Sequence, residues 1–300
     1  MARKEAVSFY SGLSYKLAGV LVTPDDMRPG EKRPAIVVCH GYASWKERYS
    51  IRIAEELANA GYVSLAFDYR GFGESEGPRW RLMCLEQVED IRNAITYMET
   101  RQEVDTKKIG LIGISLGGAN VVYTGAVDKR PACIVSIVAV GDGERWLHSV
   151  RRDYEWVEFK KKLKKDDLNF VLTGKSELVH PLEIEAPPPD WREIWDRTFK
   201  EYPERMKMQF PLETARSIIE FKPDVLAGAI SPRPLLVISD PNDTVVPPQE
   251  QVSIFEHALE PKKFISEEAE GHILYDKKGF ELLLKHSIEW FDRYIPIPAK

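Results

Sequence analysis

The feature that most restricts what this chain can become is a rhythm of short apolar runs separated by helical stretches. AIVVCH (35–40), VSLAFD (63–68), KIGLIGI (108–114), ACIVSIVAV (132–140) and PLLVISD (234–240) read as strands, and KFISEEA further on reads as another. RIAEELANAGY, LEQVEDIRNAITYMET (85–100), ANVVYTGAV and the segments near Gln249–Leu259 and Lys277–Tyr294 carry helical spacing. Such alternation predicts an α/β fold, with parallel strands joined by right-handed helical crossovers. The runs are apolar throughout instead of alternating, as expected when helices cover both faces of the sheet. VSFYSG and LAGVLVTP, at the N-terminus, read as an antiparallel hairpin on the sheet edge.

One region breaks the rhythm. From Asp142 to Lys222 the chain is dense in charge and aromatics, and it holds Trp146, Trp156, Trp191 and Trp195 of the seven tryptophans. KKKLKKDD (160–167) reads as a solvated helix face, and APPP (186–189) as a stiff turn or hinge. The expected organisation is a core domain over 1–141 and 223–300, interrupted by a helical cap at 142–222. A chain of 300 residues suits one large domain with an insertion.

A net charge of -5 gives no attraction to nucleic acid or to an anionic membrane. No run approaches the length of a membrane-spanning helix, and no apolar segment of a secretory signal follows the basic N-terminus. Cys39, Cys84 and Cys133 are odd in number and widely spaced. They read as buried thiols of a reducing, cytoplasmic setting, not as a disulfide framework or a zinc site. The aromatic-rich insertion would serve as a lid, a dimer surface or both, so a homo-oligomer is compatible with the sequence.

In sheets of this class, chemistry gathers where strands end at their carboxyl edge. GLIGISLGGAN (110–120) carries Gly-x-Ser-x-Gly there. The pentad alone is a weak signal. A strand ending at Ile114, then Ser115, then a helix is the context of a nucleophile elbow, and Gly113 and Gly117 leave room for its tight turn. A serine needs a base. His257 and His286 fall within helical patterns, His148 and His180 within the cap, and His40 at a strand end. His272, in EGHILY after the last strand, is the candidate, with Gly271 permitting a close turn. SDPNDTVVPP (239–248) offers Asp243 or Asp240 as the acid that orients the base. Asp243 stands clear of the strand end, and whichever is not the acid would brace the loop through backbone N–H groups. The oxyanion donors would be the backbone N–H of Leu116 and that of Tyr42 in HGYASWKERY (40–49). Trp45, Trp146 and Trp156 are the candidate substrate-lining side chains. No metal or organic cofactor is expected: His-Glu-x-x-His, P-loop and EF-hand patterns are missing, and Gly71 and Gly73 fail the spacing of a dinucleotide motif.

Taken in order, VVCHGYASWKE, LAFDYRGFGESEG, GLIGISLGG, VISDPNDTVVP and EGHILY resemble the α/β-hydrolase superfamily, and most of all its bacterial-type esterase, dienelactone-hydrolase-like and acyl-peptidase-like branches. The resemblance implies a doubly wound, mostly parallel sheet of about eight strands and a Ser115, Asp243, His272 triad in the family's chain order. Ile114 stands where many lipases carry histidine, and HGY replaces the HGGG of hormone-sensitive-lipase-like esterases. The expectation is a serine hydrolase that cleaves a small-molecule carboxylic ester through an acyl-enzyme. Amidase, peptidase and carbon–carbon bond hydrolase chemistry on the same triad are the alternatives, with a non-catalytic binding protein of the same fold behind them.

Overall fold

A computed structural model describes every residue except 1, 201, 204–206, 270, 271, 273–276, 299 and 300. In chain order, β1 (Arg3–Ser11), β2 (Tyr15–Thr23) and β3 (Arg33–Cys39) precede α1 (Ile51–Asn59), β4 (Val63–Phe67) and α2 (Cys84–Glu99). Then come β5 (Val104–Ile114), α3 (Leu116–Val127) and β6 (Cys133–Ile137). The insertion follows, as α4 (Gly143–Ser149), α5 (Asp153–Thr173), β7 (Leu178–Val179), α6 (Pro181–Glu185), α7 (Pro189–Lys200), β8 (Phe210–Pro211) and α8 (Glu213–Ile219). The chain closes with β9 (Leu235–Ser239), α9 (Pro248–His257), β10 (Lys262–Ser266) and α10 (Lys277–Tyr294).

The main sheet has eight strands in the order β1-β2-β4-β3-β5-β6-β9-β10. β1 pairs antiparallel with β2, and β2 with β4; every later pairing is parallel. Side chains alternate across the sheet, yet both faces are covered. Ala35, Val37 and Cys39 of β3 pack into one hydrophobic cluster with Ile91 of α2 and Val122 of α3. Ile36 and Val38 pack into the other, with Leu57 of α1 and Leu283 of α10. That two-sided burial is why these runs show no polar alternation. Among the described residues, no helix is long and apolar enough to cross a membrane.

The strand order has one reversal that matters. From β3 the chain moves outward to β4, then crosses back to β5 on the other side of β3. The carboxyl ends of β3 and β5 therefore part around a crevice, the place where sheets of this class bind ligands. β3 ends next to His40 and Gly41, and β5 ends at Ser115.

The insertion is mainly helical, with β7 and β8 paired antiparallel, and its large aromatic side chains join the core of the sheet. Trp146, Trp156, Phe159, Trp191 and Trp195 bury themselves in the same cluster as Val37 and Leu111 of the sheet. Its root is clamped by Glu250 of α9, a buried carboxylate that accepts hydrogen bonds from Gly141 N (2.9 Å), Asp142 N (2.8 Å) and Arg145 Nε (2.6 Å). The lysine-rich run lies on α5 with Lys160, Lys161, Lys164 and Lys165 exposed, while Leu163 turns inward. Ala186, at φ 45°, turns the chain between α6 and α7.

Candidate active site

Ser115 sits at the crevice in a strained conformation, with φ 57° and ψ −125°. A serine adopts such angles only when its surroundings impose them. Here Ser115 N donates to Ile137 O at 2.9 Å, and Ala119 N donates to Ser115 O at 3.1 Å. The glycines on either side make the turn possible. A Cβ on Gly113 would lie 2.1 Å from Gly117 O, and one on Gly117 would lie 2.4 Å from Cys39 O and 2.5 Å from His40 O. All these obstacles are backbone and have nowhere to go. Gly117→Ala is therefore expected to push α3 away from β3 and to lower stability by about 3 kcal/mol. Chemical denaturation measures it, and an unchanged midpoint would show that the two backbones separate freely.

Opposite the serine, Asp243 Oδ2 lies 2.6 Å from His272 Nδ1. Asp243 Oδ1 accepts from Val245 N at 2.8 Å and Val246 N at 2.9 Å, so the carboxylate is held from behind by its own loop. Asp240 does not reach the imidazole. Its Oδ1 accepts from Asn242 N at 3.0 Å and, more weakly, from Ala269 N at 3.4 Å, and burial raises its pKa. His272 is itself buried. Gly271, expected to permit the turn beside it, lies outside the described residues. The remaining histidines are engaged elsewhere. His40 is fully buried with Nδ1 3.1 Å from Gly41 O, and burial pushes its pKa down to about 4, so it stays neutral. His148 stacks on Trp156, His180 caps α6, His257 lies against Ser253 O and His286 against Glu267.

The N–H of Leu116 opens α3, where the first amides of a helix lack intrahelical acceptors and the dipole favours negative charge. In the loop after β3, Gly41 N donates to Tyr49 Oη at 2.6 Å. Among the described residues the N–H of Tyr42 and that of Leu116 have no backbone acceptor. Tyr42 does not direct its hydroxyl at the serine: the phenol donates to Pro181 O of α6 at 2.9 Å. The loop owes its position to a residue that sequence reading passed over. Asp68, wholly buried, accepts from Lys46 N at 2.7 Å, Lys46 Nζ at 2.8 Å and Glu74 N at 2.9 Å. The Lys46 ammonium also reaches Glu47 and Glu74, which accounts for the three carboxylates gathered there.

Ser115 and His272 line one small cavity of about 20 Å³, with Gly41, Tyr42 and Tyr49 from the core. That is room for about one water. Its roof comes from the insertion, as Glu185, Trp191 and Trp195, with Arg48 at the side. The Trp191 ring stands edge-on to His272 at 5.3 Å. The tryptophans expected to line the pocket do not line it. Trp45 is fully buried against Tyr202, Trp156 stacks on His148, and Trp146 spends its N–H on Val245 O at 2.8 Å, bracing the Asp243 loop. A wider cleft of about 910 Å³ opens nearby between α5, α6 and the start of α7, but none of Ser115, Asp243 and His272 lines it.

Glu185 is the residue that sequence reading missed altogether. It is 3% exposed and its Oε2 has no hydrogen-bond partner among the described residues. Burial pushes its carboxyl up to about 7, against the opposing pull of His272 and Arg48. Because the folded-state value lies above the ordinary 4.5, the folded chain holds the proton more tightly. The favourable contribution is complete below about pH 4.5 and is lost as pH rises through 7. Glu185→Gln should therefore leave the melting temperature unchanged near pH 4.5 and raise it at pH 8, by an amount corresponding to roughly 3 kcal/mol at most. His40 titrates with the opposite sign, but it is common to both proteins and cancels in the difference.

Comparison with known proteins adds the family. A family model described as serine aminopeptidase, S33, matches residues 30–273. An uncharacterized 31.7 kDa protein of the traX-finO intergenic region of Escherichia coli is 30% identical over 266 residues, covering 88% of this chain and 92% of that protein. The quorum-quenching protein AidA of Acinetobacter baumannii is 27% identical, covering 88% of each. The crystal structure of the α/β hydrolase GrgF from Penicillium superposes with a TM-score of 0.80 over 98% of this chain and 99% of that one, at 20% identity. With most of its length matched by that model and its sheet by that fold, the chain belongs to the serine aminopeptidase S33 family of α/β-hydrolases.

Proposed function

We propose that this hydrolase cleaves carboxylic esters through an acyl-enzyme on Ser115. The observation that carries the reading is the convergence of the strained Ser115 and the Asp243-bound His272 on one cavity. Asp243 accepts the Nδ1–H of His272, which leaves Nε2 as the basic nitrogen. Nε2 takes the Ser115 proton as Oγ attacks the carbonyl carbon. The oxygen gains negative charge, which the N–H groups of Tyr42 and Leu116 stabilise. The imidazolium then protonates the leaving alcohol. A water deprotonated by the same nitrogen attacks the acyl-serine, releases the acid and returns the proton to Oγ.

Labelling with a fluorophosphonate tests the reading. The intact protein is expected to gain one phosphonyl group, mapped by peptide mass to Ser115. Labelling at another residue, or none, would overturn it. The family's description favours amide bonds as the second reading. An ester and an amide of the same acyl group separate the two: the ester reading requires the larger kcat/KM for the ester by more than their intrinsic difference in reactivity.

A further inference from the structure

The catalytic cavity contains an acidic side chain that the ester mechanism does not use. Glu185 lines it together with Ser115 and His272, and its Oε2 is buried without a hydrogen-bond partner among the described residues. Leaving a buried carboxyl oxygen unsatisfied is costly, and a donor from a ligand or an ordered water is what completes such a group where it lines a cavity. Trp191 of the roof hydrogen-bonds the Glu185 carboxyl, and His272 and Arg48 attract its charge, but Oε2 remains without a donor among the described residues.

The position of Glu185 is also well defined. The cavity of about 20 Å³ is too small for an acyl group, so part of its lining must move when substrate enters. α6 is held at its start and near its end. Tyr42 Oη donates to Pro181 O at 2.9 Å, and Arg151 Nη2 donates to Glu183 O at 2.8 Å and Ile184 O at 2.6 Å. Trp191 and Trp195 lie on α7, beyond the turn at Ala186 and the prolines that follow. Were α7 displaced to enlarge the cavity, the bonds from Tyr42 and Arg151 would still hold α6. Because the cavity is so short, any substrate group that touches Glu185 lies within a few bonds of the carbonyl held by Ser115.

Resting on the ester reading above, we propose that Glu185 is a specificity residue that selects substrates carrying an uncharged hydroxyl close to the scissile carbonyl, with the hydroxyl donating to Oε2. A carboxylate on the substrate would meet like charge or an unfavourable burial. An ammonium would be repelled by Arg48, which lines the same cavity. A hydroxyl supplies the missing donor and brings no charge into the low-dielectric space.

The test uses p-nitrophenyl esters of butyrate, of its 2-, 3- and 4-hydroxy derivatives, and of 3-aminobutyrate, with the full chain and the Glu185→Leu, Glu185→Met and Glu185→Gln variants. The readout is the ratio of kcat/KM for each substituted ester to that for butyrate. Wild type is expected to prefer one hydroxy ester by ~10-fold or more, because a site built around a hydrogen bond rejects the analogue that lacks it. Glu185→Leu should bring that ratio to about one, and Glu185→Gln, whose amide oxygen still accepts, should keep an intermediate ratio. Glu185→Met carries the same readout as the leucine variant if the latter fails to fold. A wild type without preference, a ratio unchanged in the apolar variants, or a preference for the amino ester would overturn the proposal. Equal loss on all esters would also overturn it, since that marks a residue that only supports His272. If Ser115 takes up fluorophosphonate and butyrate is hydrolysed, such outcomes sink the role of Glu185 alone. If Ser115 does not label and no ester is cleaved, the ester reading itself fails.

Discussion

Ser115→Ala is expected to lower kcat for ester cleavage by ~10³- to 10⁶-fold while the fold persists. The size of the effect follows from what is lost. In the proposed mechanism no acyl-enzyme forms without Oγ, and His272 has only water to activate. The Tyr42 and Leu116 amides would still polarise the carbonyl, which sets the residual rate above that of the uncatalysed reaction. The fold should survive because the backbone strain at Ser115 is imposed from outside it, by the bond to Ile137 O and by the adjacent glycines. Alanine meets the same positive φ with a smaller side chain. Steady-state kinetics with a denaturation curve checks both halves. Near-normal turnover in a folded variant would remove Ser115 from the chemistry.

Asp243→Asn should cost ~10⁴-fold in kcat, with Tm little changed. The geometry makes the substitution harmful in either amide orientation. With the amide oxygen kept on Val245 N and Val246 N, the NH₂ faces His272 Nδ1. Nδ1 must then accept, its proton moves to Nε2, and the nitrogen that should deprotonate the serine is already protonated. With the amide flipped, the NH₂ points at two backbone N–H donors and the loop itself is destabilised. Asp240→Asn is the matching control. Its Oδ1 bond to Asn242 N can be kept by an amide oxygen, so the loss should stay within about 10-fold. A larger loss at Asp240 than at Asp243, by the same kinetic measurement, would reassign the acid.

How far these residues were legible in the chain depends on how local each one's signal is. The strand before Ser115, the glycines around it and the helix after it are neighbours in sequence, so the elbow is a local pattern with a local cause. The same holds for the loop after β9, where Asp243 is fastened to Val245 and Val246 only two and three residues on. Asp68 was not legible in this way. It sits in an ordinary strand-end loop, and its importance comes from Lys46, 22 residues earlier.

The insertion shows the limit most clearly. Helical spacing states which side chains turn inward, not what they meet there. Trp146 and Trp156 are buried, but one braces a loop and the other a histidine, while Trp191 and Trp195 reach the cavity. Glu185, in a short acidic helix ahead of three prolines, has the local appearance of a solvent-facing charge, and only the closure of the insertion over the sheet buries it.

What the chain determined by itself was the rhythm of strands and helices, and with it the order in which the loops of Ser115, Asp243 and His272 arrive at one sheet edge. Apolar periodicity and turn chemistry act between near neighbours and survive reading in one dimension. What only the tertiary structure decided was the roof: a cavity of about 20 Å³, two tryptophans and a buried glutamate set against Ser115. Those contacts join positions that are distant in sequence, and their strength comes from mutual burial, which no residue possesses until the others are in place.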